Sequence, residues 1–164
     1  MRRILSALVL TLILCGGIHA MIQTLSLTDL VAGSDLIVLA SLKRSSETGK
    51  TPEGLSTVEN VLVVAEVLKG GVKPGVELTV ATLGGFEDEV VFAPRQQGVL
   101  FLKKAGDDRY EVNNLVQGWW PLGRDHAPTG MGTGITLDEV KEAIKAVAEG
   151  RVPPPASSSE PIGF

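Results

Sequence analysis

Hydrophobic positions in this chain fall mostly in short β-rich runs between glycine- and proline-bearing turns, with helical spacing only towards the two ends. Asp35 to Leu42 (DLIVLASL) is nearly continuous in apolar residues, the pattern of a strand covered on both faces. Ser45 to Leu55 is polar and carries Gly49, Pro52 and Gly54, which predicts a loop. Thr57 to Leu68 (TVENVLVVAEVL) starts polar and turns apolar, as a long strand leaving solvent for a core would. Lys69-Gly70-Gly71 and Lys73-Pro74-Gly75 predict a turn, after which Val76, Leu78 and Val80 alternate with Glu77 and Thr79. Gly84-Gly85 breaks that strand. Glu89 to Phe92 and Gly98 to Lys103 (GVLFLK) are further strand candidates, and Gly106-Asp107-Asp108 predicts a hairpin-type turn into Arg109 to Val112. Val116 to Leu122 (VQGWWPL) is the last strand candidate, cut by Pro121.

Two helices flank this β-rich centre. Ser26 is placed to cap the first, with Asp29 in its opening turn, Leu27, Leu30 and Val31 on one face and Gly33 as the stop. Thr136 and Glu139 form a capping box for the second, spanning 136–149, whose Val140, Ala143, Ile144 and Val147 share a face before Gly150. Five or more short strands with no long helix between them predict a mainly β fold, a small antiparallel barrel. A two-layer sandwich is the alternative.

The ends change the picture of where this fold resides. Arg2 and Arg3, a predominantly apolar run from Ile4 to Leu14 and Ala20 at a plausible cut site read as a secretory signal peptide over residues 1–20. The run is shorter than the roughly 20 residues that a membrane-spanning helix needs, so no stable span is expected after cleavage. Lipid attachment at Cys15 is disfavoured by Leu14 before it, and the paired arginines fit an ordinary positive leader better than a twin-arginine signal. A single domain over 21–150 and a disordered proline- and serine-rich tail over 151–164 follow, and the expected destination is the periplasm or the medium. Cleavage removes Cys15, leaving no thiol and no disulfide. Losing Arg2 and Arg3 as well takes the net charge from −4 to −6, which argues against nucleic acid as a partner.

Candidate chemistry is sparse. His126 is the sole histidine after cleavage, too few for a zinc site, and no cofactor or metal is expected. Glu87-Asp88-Glu89 and Asp107-Asp108 offer oxygen ligands without a calcium-loop spacing and read as solvated acidic turns. Asp125-His126 beside Pro128 lacks a nucleophile elbow and reads as a loop. Gly130-Met131-Gly132-Thr133-Gly134 lacks the ending of a phosphate-binding loop and reads as a connector. The notable pair is Trp119-Trp120: neighbours on a strand face opposite ways, so one ring enters the core. The other either marks a contact surface, which Phe86, Arg95 and Tyr110 would extend, or lies under the C-terminal helix.

Three segments carry a family resemblance: Ser34-Asp35-Leu36-Ile37-Val38-Leu39-Ala40, Val64-Ala65-Glu66-Val67-Leu68-Lys69-Gly70 and Gly98-Val99-Leu100-Phe101-Leu102. Together with Leu83-Gly84-Gly85 and Leu115-Val116-Gln117-Gly118-Trp119, their order resembles the netrin-like, TIMP-like version of the OB-fold in exported bacterial proteins with no established activity. The resemblance covers about residues 26–122 and implies an OB-like barrel. Its inhibitory members chelate a protease zinc through an N-terminal cysteine; here the expected N-terminus is Met21, so that mechanism is not implied. The expected function is therefore an exported binding or accessory module for an unknown protein or envelope ligand. The alternatives are a cell-envelope hydrolase using carboxylates and a protease-inhibitor-like protein.

Overall fold

The computed structural model describes residues 23–153, so the expected leader over 1–20, the expected N-terminus at Met21 and most of the expected tail lie outside the described residues. Helix α1 (Leu27–Ala32) begins where Ser26 Oγ accepts the Asp29 amide and buries Leu30 and Val31. Lys69 reaches back from a strand to donate to the Val31 and Ser34 carbonyls, closing the helix's C-terminal end with a cation.

Six strands follow: β1 (Leu36–Lys50), β2 (Ser56–Lys69), β3 (Glu77–Gly84), β4 (Gln97–Lys104), β5 (Arg109–Val112) and β6 (Trp119–Pro121). Helix α2 (Leu137–Ala148) ends the fold with the expected capping box of Thr136 and Glu139. The pairing order β1-β2-β3-β5-β4, with β4 returning to β1, closes a five-stranded barrel, and β6 pairs with Gly98 to Leu100 of β4, along the edge on which β5 takes Leu102 to Lys104. All pairings are antiparallel except β3 with β5, which run parallel through Val80 opposite Tyr110. The barrel is thus mainly β, OB-like and mixed. A sandwich is not formed.

Two apolar clusters lie on either side of the β1–β4 wall, which is why Leu36 to Ala40 and Val99 to Leu102 are apolar without interruption. Leu36, Val38, Ala40, Leu62, Val64, Val80, Leu100, Leu102, Phe92 and Trp119 fill the barrel. Ile37, Leu39, Val99, Phe101 and Trp120 face outward, where α1 and α2 cover them with Leu30, Val31, Val140 and Ala143.

Three local expectations are corrected. The stretch from Ser45 to Lys50 is strand, not loop: β1 pairs with β2 as far as Lys50 opposite Ser56, and the turn is confined to Thr51–Leu55 around Pro52 and Gly54. This arm projects past the barrel, so both faces meet solvent and no apolar alternation betrays it. Glu89 to Phe92 is not a strand; Val90 and Phe92 turn inward and Val91 outward, but no ladder forms. Val116 to Leu122 divides into a 3-10 turn (Leu115–Gly118) and the short β6.

Candidate functional site

Two of the five residues expected to mark a surface, Trp119 and Trp120, are buried. Trp119 is 4% exposed inside the barrel, edge-on to Phe92 with ring centres 5.0 Å apart. Trp120, 2% exposed, packs on Phe101 at 4.7 Å beneath the helices and donates to the Gln117 carbonyl at 2.7 Å. Of the two alternatives for the outward-facing tryptophan, the structure shows cover by the C-terminal helix rather than a contact surface: α2, together with α1, buries the outer ring. Tyr110 is half-buried on β5 and packs against the barrel's interior cluster. Phe86 and Arg95 sit near opposite ends of the 85–96 connection, Arg95 exposed with a left-handed φ of 63°.

The other singled-out motifs have structural roles. Asp125 accepts the Ala127 amide, and His126 lies exposed in the same loop. The glycine-rich connector is explained by packing: a Cβ on Gly132 would stand 2.4 Å from the Trp120 ring, so only glycine lets the chain cross that face. Gln117 clamps the N-terminal segment, donating to the Leu25 carbonyl and accepting the Leu25 amide, while Asn114 donates to Gln23.

A cleft of about 180 Å³ opens instead where the β1–β2 arm leaves the barrel. Ser45 of β1, Val58 and Asn60 of β2 and Thr82 to Gly84 of β3 form one wall; Glu89 to Phe92 form the other. Its polar centre is Asn60, 3% exposed, which accepts from the Ser45 hydroxyl at 2.8 Å and donates to Thr82 Oγ1 at 2.9 Å and the Val80 carbonyl at 3.3 Å. With its amide thus satisfied, Asn60 holds the two hydroxyls in fixed positions. Glu89 bends back to accept the Gly85 amide through one carboxylate oxygen, at 2.6 Å. Glu89 has no ion-pair partner among the described residues. At the rim, Val91 is 62% exposed and Leu83 37%, an apolar pair left in water on both sides of the opening.

Sequence reasoning missed this site, although one signal for it is present. Asn60 has the same strand parity as Leu62 and Val64, and Thr82 the same as Leu78 and Val80, so both polar residues stand at inward positions of neighbouring strands. Ser45 escapes such counting because a bulge between Leu42 and Arg44 shifts the β1 register.

The cleft offers hydrogen-bonding groups and one carboxylate. Neither a histidine nor a second carboxylate lines it among the described residues, and no three His, Cys, Asp or Glu side chains of those residues gather as metal ligands. No helix among the described residues is long and apolar enough to cross a membrane. No protein-family model matches the chain, and no curated protein matches it.

Proposed function

We propose that the protein is an exported binding module, a netrin-like barrel that holds a protein partner at the cleft between its β1–β2 arm and the 85–92 segment. The carrying observation is that Leu83 and Val91, two exposed apolar side chains, rim a cleft whose Asn60-centred hydrogen bonds fix its polar wall. Exposed apolar groups beside preset polar ones suit recognition, since association removes the former from water while the latter select the partner. The charged leader and apolar run over residues 1–20 support export. A carboxylate-based hydrolase is less well served, because Glu89 has no neighbouring acid in the cleft with which to divide acid and base roles.

The test compares Leu83→Asp and Val91→Asp with Met131→Asp, a control at an exposed apolar position outside the cleft. Native size is measured for each tagged protein in the soluble envelope fraction or medium of the producing cells. The wild type and Met131→Asp should migrate as a complex, and the two rim variants as the free domain with unchanged melting temperatures. A complex retained in all four proteins, or absent from all, would overturn the assignment.

A further inference from the structure

Resting on the binding role proposed above, we infer that the cleft selects a basic side chain of its partner, a lysine or arginine flanked by apolar residues. The chemistry of the two walls points this way. Glu89 is half-buried at the opening; one carboxylate oxygen is committed to the Gly85 amide, while the other has no donor and no cation among the described residues. A half-buried carboxylate without a counter-charge draws a cation more strongly than a fully solvated one, because less water screens it. The opposite wall complements it. Thr82 Oγ1 and Ser45 Oγ are fixed by Asn60, and both keep lone pairs able to accept from an ammonium or guanidinium group.

Between these polar groups, Val58, Val90 and Phe92 present apolar surface along which a methylene stem can lie. Leu83 and Val91 at the rim then meet the residues on either side of the cation. The local charge agrees: Glu87 and Asp88 precede Glu89, and no lining residue is cationic. An anionic partner group would meet the Glu89 carboxylate uncompensated, and a wholly apolar one would leave the hydroxyls and the carboxylate desolvated without partners.

The test titrates the protein with acetyl-Leu-Lys-Leu-amide and with acetyl-Leu-norleucine-Leu-amide, whose central side chain is uncharged, following backbone amide shifts. The lysine peptide should move the resonances of Thr82, Gly85, Glu89 and Val91 and bind at least tenfold more tightly than the norleucine peptide. Glu89→Gln keeps a carbonyl oxygen for the Gly85 amide, so the segment stays folded while the charge is lost; it should reduce the difference between the peptides to less than threefold. Added salt should weaken only the lysine peptide. Equal binding of the two peptides at the cleft, or full lysine preference in Glu89→Gln, would overturn the cation preference and leave the binding role standing. No shift at the cleft with either peptide would also overturn it, whereas loss of the binding role itself is read from the Leu83 and Val91 variants.

Discussion

Replacing each tryptophan in turn by phenylalanine should separate two residues that are adjacent in sequence and almost equally buried. At either position the smaller ring removes apolar contact amounting to roughly 2 kcal/mol, at about 0.8 kcal/mol per buried methylene-sized group. What differs is the indole N–H. Trp120 Nε1 donates to the Gln117 carbonyl, so Trp120→Phe also leaves a buried acceptor short of its donor, at a cost of about 1–3 kcal/mol. Trp119 Nε1 is buried and finds no acceptor among the described residues, so Trp119→Phe deletes an unsatisfied donor and regains about 1–3 kcal/mol. The expected sums are a loss of about 3–5 kcal/mol at 120 and a change within about 1 kcal/mol of zero at 119. At about 3–4 °C per kcal/mol for a domain of this size, the two melting temperatures should lie roughly 15 °C apart. Urea and thermal unfolding followed by far-ultraviolet circular dichroism measure this without depending on tryptophan emission. Equal destabilisation at the two sites would refute the reasoning and show that the Trp119 N–H is satisfied, for instance by a buried water.

Steric and electrostatic predictions accompany this one. A Cβ on Gly98 would stand 2.4 Å from Trp119 ring carbons and 2.6 Å from the Trp120 carbonyl, which is backbone and cannot swing aside. Gly98→Ala should therefore lose about 3 kcal/mol in urea unfolding, at the upper end for overpacking, whereas Gly71→Ala, with open space around it, should be nearly neutral; comparable losses would contradict the β4–β6 register. The Lys43 ammonium, 2.5 Å from Glu77, holds that carboxyl below its ordinary 4.5. A lowered folded-state pKa stabilises above the unfolded value and ceases to do so as the pH falls through the folded one. The melting temperature of Lys43→Met should thus lie slightly below wild type near neutral pH and converge with it as the solution is acidified below the carboxylate range. A gap that persists in acid would show that Lys43 contributes through packing instead.

The fold was legible where local signals act alone. Ser26 and Thr136 cap their helices as their side chains predict, and β2, β3, β4 and β5 lie close to the expected segments. Less could be read where a segment's environment depends on distant parts of the chain. The arm from Lys43 to Lys50 has no apolar face because it leaves the core, so composition alone suggests a loop. Segment Glu89 to Phe92 keeps strand-like alternation because Val90 and Phe92 enter the barrel, yet no strand is placed to pair with it. Parallel closure of β3 on β5 joins residues about thirty apart in sequence through no local feature. The tryptophans show both limits at once: their opposite facing follows from strand geometry, but the burial of Trp120 requires α1 and α2 to fold back over it. The cleft draws Ser45, Asn60, Thr82 and Glu89 from four segments, and only their register and a bulge bring them together.

The most direct test of the cleft as the binding site is photo-crosslinking in the producing cells, with a photoreactive amino acid placed at position 91 in one version of the protein and at position 131 in another. Light should trap a covalent adduct of one discrete size from position 91 and none from position 131, because only the former borders the opening. Adducts from position 131 alone, or none from position 91 at full expression, would contradict the account and move recognition elsewhere on the barrel.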